Sequence, residues 1–130
     1  MDQSTFKFYS DHAPQIADRY ESVVSSLSLH FADSFITGSK VLDIGCGSGR
    51  DLAALYKQGY DCYGIDPVSN FIEIAQKKHP ELSNRITGGH LPNLVVPFNG
   101  NFDGVLCSAV LMHIEIDQLQ ASALAIKSCL

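Results

Sequence analysis

Val41-Leu42-Asp43-Ile44-Gly45-Cys46-Gly47-Ser48-Gly49-Arg50 is the stretch whose reading decides the fold. A short apolar run with a β-branched residue at either end is a buried strand. The three glycines that follow let the backbone turn sharply and approach a ligand closely. A helix then opens at about Arg50, with Leu52, Ala53, Leu55 and Tyr56 on its apolar side and Gly59 as its stop. A strand that runs through a glycine turn into a helix points free backbone N–H groups at whatever occupies the turn.

Working outward, the rhythm repeats. Tyr60–Ile65 reads as a second strand ending at Asp66-Pro67, and Ser69–Lys78 as a helix stopped by His79-Pro80. Arg85-Ile86-Thr87 is a weak third strand and Phe102–Cys107 a stronger fourth. The last helix runs from about Glu115 to the end, with Leu119, Ala123, Ile126 and Leu130 as its stripe. Before the glycine segment, about Asp11 to Phe35 reads as one helix, with Pro14 in its first turn and Ile16, Tyr20, Val23 and Leu27 on one face. Strands alternating with helices imply an α/β fold, a parallel sheet covered on both faces. Ligands of such sheets sit outside the carboxyl edge, where the glycine turn lies.

Composition narrows the function. The 130 residues are 45% hydrophobic and 18% charged, enough for a real core and unlike a disordered chain. Met1-Asp2-Gln3-Ser4 lacks the layout of a signal peptide, and a cytoplasmic protein is expected. The four cysteines and five histidines are scattered, so reduced thiols and no metal site are expected. Net charge is −5 with only nine Lys and Arg, and Lys77-Lys78 reads as a solvated helix end. Polyanion binding draws its affinity from phosphate neutralisation, so a nucleic-acid partner is not expected. No apolar run has the length of a membrane span.

Two carboxylates flank the turn. Asp43, at the first strand's end, can accept hydrogen bonds from a cationic or N–H-bearing ligand. Asp66, at the second strand's end, can take both hydroxyls of a ribose. The expected ligand is a nucleoside with a charged tail. A dinucleotide fingerprint would read GxGxxG. Here its third glycine position is Arg50 and the pattern is DxGxGxG, which leaves an NAD-binding domain as the less favoured reading.

With these segments in hand the chain resembles the class I S-adenosylmethionine (SAM)-dependent methyltransferases, in particular their small-molecule branch. The resemblance rests on Phe8-Tyr9 and the Tyr20 helix, VLDIGCGSGRD at Val41–Asp51, GIDPV at Gly64–Val68 and FDGVLCSAVLMHI at Phe102–Ile114, and spans nearly the whole chain. It implies a Rossmann-like three-layer sandwich with a mainly parallel sheet of order 3-2-1-4. It also implies one SAM-binding domain over residues 1–130, with a helix at about 11–35 and a core at about 40–130. Relatives have seven strands and four are read here, so the expectation is an N-terminal part of a longer protein, or a fourth strand whose open edge pairs with a second copy.

By position, the resemblance gives Asp43 and the Gly45–Gly49 backbone, including Cys46, Gly47 and Gly49, to the methionyl part of SAM. Asp66 goes to the ribose, Pro67 and Val68 to the adenine flanks, and Ser108 and Ala109 to the neighbourhood of the reacting methyl. One departure stands out. Where the family carries an acid before a Leu-Pro pair, this chain has Gly89, so adenine contact passes to Gly89, His90 and Leu91.

Bland readings stand beside these. Asp43 can cap the helix, Arg50 can bind the SAM carboxylate or pair with Asp51, and Cys46 reads as filler. His113 and Tyr9 are the candidate catalytic groups, and packing roles are open for both; Tyr9 and Tyr20 can close over the cofactor or be core aromatics, the core reading being preferred for Tyr20. The Asn/Asp-Pro-Pro-aromatic run typical of nucleic-acid and protein-amide methylation is missing at Ser108–Leu111, which favours a small-molecule acceptor. The expected function is methyl transfer from SAM to a small molecule. A binding module without turnover is the alternative.

Overall fold

The computed structural model describes residues 1–130. In chain order it has α1 (Gln3–Asp11), α2 (Ala13–Glu21), α3 (Phe31–Ser34), β1 (Lys40–Ile44), α4 (Arg50–Lys57) and β2 (Asp61–Asp66). Then follow α5 (Ser69–Lys78), β3 (Ile86–Gly88), β4 (Gly104–Leu106) and α6 (Leu119–Cys129). The four strands form one parallel sheet in the order β3-β2-β1-β4. That is the Rossmann-like order expected from the sequence.

Alternation along the strands divides the core between the two sheet faces. Val41 and Cys62 point to the side covered by α4 and α5, where they meet Leu52, Leu55, Ala75 and Leu82. Leu42, Ile44 and Ile65 point to the other side, against Leu91, Phe102, Ile114 and Cys129. Gly64 is required in β2 because a Cβ there would stand 2.8 Å from Leu52 and 2.9 Å from the Cys46 sulfur. The start of the sheet is pinned by Asp103, whose carboxylate accepts the Lys40 N–H at 2.8 Å while its own N–H donates to the Lys40 carbonyl at 2.7 Å.

The N-terminal region differs from the single helix expected over about 11–35. Helix α2 begins at Ala13 with Pro14 in its first turn, as read, but it stops at Glu21. The next residues are the β-branched pair Val23-Val24 and the serines Ser22, Ser25, Ser26 and Ser28. Serine side chains compete with the helix for backbone partners. Ser22 Oγ donates to the Arg19 carbonyl and Ser28 Oγ to that of Ser25, both at 2.7 Å. A 3-10 turn at Leu27–His30 and the short α3 complete the segment. Helix α1 was not read at all, although Asp2 caps it by accepting the Thr5 N–H at 2.7 Å.

Two buried faces also move. In α2 the inward residues are Ala13 and Ala17, with Ile16 of the expected face beside them, packed on Val68 and Phe71 of the α5 region, whereas Tyr20 and, beyond the helix, Val23 are exposed. In α6 the inward residues are Ser122 and Cys129 with Ala125 and Ile126 beside them. Of the expected stripe only Ile126 packs inward, while Leu119 and Leu130 are exposed. The helix starts at Leu119, after a 3-10 turn at Ile116–Gln118, and not at Glu115.

Candidate functional site

A cavity of about 410 Å³ opens at the carboxyl ends of β1, β2 and β4. Its floor is the β1–α4 turn, the end of β2 and residues 89–91, and its wall is α1, Tyr20, Phe71 and the segment after β4. The size is that of small-ligand sites.

The turn is held from below. The Gly45 and Cys46 N–H groups both donate to the Ile65 carbonyl, at 2.8 and 3.0 Å, which ties the turn to β2. Gly45 has φ +78°, and a Cβ on it would lie 2.5 Å from Val110, so only glycine lets the post-β4 segment close over the turn. Gly49 has φ +87° and caps the N-terminus of α4.

Asp66 contributes more than its position in the sequence revealed. Its Oδ2 accepts the Gly47 N–H and its Oδ1 accepts the Val68 N–H, each at 2.9 Å. The carboxylate therefore braces the glycine turn against the β2–α5 connection. Burial pushes its pKa up, against the two N–H donors, which pull it down. Asp43 is only 3% exposed. Burial first, then the charges of Asp51 and Asp66, push its pKa well up, and no hydrogen bond from the protein offsets this. The three carboxylates are not grouped so as to hold a metal ion.

Arg50 is the one arginine or lysine on the lining. Its Nε lies 3.6 Å from Asp51 Oδ1, and the guanidinium sits 5.5 Å from the centre of the Tyr20 ring. Both Nε and that Oδ1 are buried without a hydrogen-bond partner. Two buried polar atoms left open at a cavity wall mark a place for a polar ligand atom or water. The Cys46 thiol is pushed well up by burial, then by Asp43 and Asp66, which suits the filler reading and not a nucleophile.

Every residue singled out from the sequence lines this one cavity except Gly49, which is buried behind the turn against Ala75 and His79. His90 is at its edge with Nδ1 3.4 Å from the Leu91 carbonyl. Tyr9 reaches across from α1 so that its hydroxyl lies 3.3 Å from His113 Nε2. Tyr20, read as core, is 46% exposed and faces the cavity mouth. Sequence reasoning missed Met1 and the α1 residues Gln3 and Phe6, together with Asp51 and Phe71. For Asp51 the signal was available, one residue into the helix that the glycine turn opens.

With that geometry established, comparison with known proteins is informative. The profile of the family described as "Methyltransferase domain" matches residues 41–130. A ubiquinone biosynthesis O-methyltransferase of Rickettsia canadensis is 29% identical over 99 residues, 75% of this chain and 40% of that protein. The mitochondrial ubiquinone biosynthesis O-methyltransferase of Rattus norvegicus is 33% identical over 101 residues, 73% of this chain and 29% of that protein. An uncharacterized methyltransferase of Alkaliphilus oremlandii is 29% identical over 80% of this chain. The chain spans less than half the length of these three relatives, 29–45%.

Among solved structures, a TehB-like SAM-dependent methyltransferase of Corynebacterium glutamicum superposes with a TM-score of 0.79 at 25% identity. The match covers 92% of this chain and 67% of that one. The magnesium protoporphyrin IX methyltransferase of Synechocystis, solved with bound SAM, gives 0.62 at 28% identity, over 91% of this chain and 54% of that one.

Proposed function

This chain belongs to the methyltransferase-domain family, and on that premise we propose that residues 1–130 act as one domain that binds SAM and serves methyl transfer to a small-molecule acceptor. The observation that carries the proposal is Asp43: a buried carboxylate on a cavity wall, with two more carboxylates acting on it and no protein hydrogen bond. Such a group is costly to ionise unless a cation arrives to pair with it. SAM carries an ammonium on its methionyl tail, and the residues present fit the rest of the molecule.

Asp66 keeps lone pairs on both oxygens for the ribose hydroxyls after accepting one N–H on each. Pro67, Val68 and Leu91 offer apolar surface for the adenine, with the backbone of Gly89 and His90 for its polar edge. The open Arg50 Nε suits the methionyl carboxylate. Gly45, Cys46, Gly47 and Gly49 shape the turn, and Ser108 and Ala109 stand at the cavity's β4 side, where the acceptor meets the cofactor. When bound, SAM supplies an activated methyl on sulfonium. The chain's work is to align the acceptor with it and exclude water.

Calorimetric titration with SAM and with S-adenosylhomocysteine tests the reading. Saturable heat with both is expected, and no heat at high ligand concentration overturns it. A module that binds without turnover is the second reading, favoured by Gly89, which stands where the family carries an acid toward the adenine. A methyl-transfer assay on a metabolite panel separates the two, because a pure binder retains SAM and releases no demethylated product. An NAD site is disfavoured by the carboxylates that a pyrophosphate would face, and NADH fluorescence is expected not to change on mixing.

No helix is long and apolar enough to cross a membrane. We assign the protein to the cytoplasm on its four free thiols, three of them buried. We also propose self-association through the outer edge of β4, which within residues 1–130 pairs only with β1. Light scattering over a hundredfold range of concentration should find the mean mass rising. A constant monomer mass would refute edge pairing.

A further inference from the structure

The cavity lining carries the carboxylates Asp43, Asp51 and Asp66 and the aromatic rings of Phe6, Tyr9, Tyr20 and Phe71. Among these aromatics the Tyr9 hydroxyl lies 3.3 Å from His113 Nε2. The Tyr9 ring is clamped edge-on to the His113 ring, at 5.7 Å between centres, and packed on Phe71 at 6.3 Å. His113 also lines a smaller depression of about 260 Å³, together with Asp2, Thr5 and Glu115 and the apolar Met112, Ile114 and Ile116. His113 thus stands between the cavity and a second hollow that carries two carboxylates.

We propose that Tyr9 and His113 form a proton relay, from a hydroxyl acceptor held beside Tyr9, Phe6 and Phe71 out to this hollow, and that the acceptor is a neutral phenol-like or enol-like molecule. This rests on the cofactor reading above for the methyl donor and deepens it on the acceptor side. The apolar rings of Phe6 and Phe71 beside Tyr9 favour an uncharged acceptor, so an oxygen acceptor enters with its proton and loses it inside. The balance closes. The O–C bond forms from an oxygen lone pair, the electron pair of the broken S–C bond stays on sulfur, and one proton is released per transfer. Tyr9 Oη takes that proton as its own passes to His113 Nε2, and the imidazolium returns a proton to water in the second hollow. Imidazole is the side chain suited to such exchange near neutrality.

Tyr9 is the group that meets the acceptor. His113 acts through it and is a positioning residue. The groups facing His113 are Tyr9 from α1, Asp2 at the cap of α1, and Glu115 on its own segment. A phenol that keeps its proton donates it, which makes His113 Nε2 the acceptor and puts the ring hydrogen on Nδ1, toward the hollow.

The test is 15N–1H correlation of the imidazoles in the 130-residue protein, with 4-fluorophenol as the probe and 19F detection of its binding. His113 is expected as the Nδ1–H tautomer, and 4-fluorophenol should shift its Nε2 resonance. Tyr9→Phe should abolish that response and weaken 4-fluorophenol by roughly tenfold, the loss of one hydrogen bond in a shielded site, while fluorobenzene binding changes less than about twofold. An Nε2–H tautomer, or a His113 silent to 4-fluorophenol, overturns the relay. If Tyr9→Phe does not fold, the wild-type tautomer and the probe titration decide alone. Failure of SAM to bind, with His113 responding, would remove the cofactor reading and leave the relay. Binding of SAM with His113 silent would do the reverse.

Discussion

Asp43→Asn should make the ligand-free protein more stable at neutral pH while removing most of its affinity for SAM. Both effects come from one fact, that burial and the neighbouring Asp51 and Asp66 hold the Asp43 pKa well up. For a carboxylate raised in the folded state, the stability it contributes is fully present below the unfolded value. It is lost as pH rises through the folded value. At pH 7 the ligand-free protein has therefore given up stability that a neutral amide would retain. The variant should gain about 1–2 kcal/mol there, and the difference should vanish below the ordinary carboxylate range. Denaturant midpoints followed from about pH 3 to 8 measure this. On the ligand side a cation needs the ionised form, so wild-type affinity should rise with pH and binding should release protons. Calorimetry in buffers of different ionisation heat reads that directly. Losing one member of a buried ion pair costs about 3–5 kcal/mol, so the variant's affinity should drop at least a hundredfold. Equal stability of the two proteins at pH 7 would mean that Asp43 is already neutralised by something other than ligand.

The same physics explains what the sequence displayed and what it hid. Strand β1 was legible from Val41 to Ile44 and helix α5 to its end residues, Ser69–Lys78, because their signals are local: an apolar run, a glycine turn, a His-Pro stop. Asp43 and Asp66 were legible as site residues because parallel strands deliver their ends to one edge. What Asp66 does with its two oxygens was not, since its partners Gly47 and Val68 are chosen by how the turn folds over β2.

Helix α1 left no core signal, having no buried residue, and its significance lies in Tyr9 meeting a histidine 104 residues away. The inward face of α2 was misread because two alanines make the contact and the bulky Tyr20 is drawn outward to Arg50. In α6 apolar residues lie nearly all round, so periodicity could not choose a face. The choice fell to Ser122 and Cys129, small enough to lie against the sheet.

Asp66→Ala separates the two carboxylates, because Asp66 is both a ligand group and a brace. In the ribose role, removing it should cost about 1–3 kcal/mol of SAM affinity, the loss of charge-assisted hydrogen bonds in a buried site. In the bracing role, removing it leaves the Gly47 and Val68 N–H groups without their partners at 2.9 Å, on either side of the turn. Their amide hydrogens should then exchange at least about tenfold faster, whereas Asp43→Asn should leave both protected. Global stability should move less than local protection. At neutral pH the variant loses two hydrogen bonds but also sheds a carboxylate whose burial outweighs them. Asp66→Asn sharpens the distinction: its amide oxygen can keep one of the two N–H groups, so one amide should stay protected while affinity still falls. Fast exchange at Gly47 and Val68 with unchanged affinity would leave Asp66 as a brace alone, and the ribose would have to be held elsewhere. Slow exchange with lost affinity would mean that the turn keeps its shape through the Ile65 carbonyl, which already accepts the Gly45 and Cys46 N–H groups.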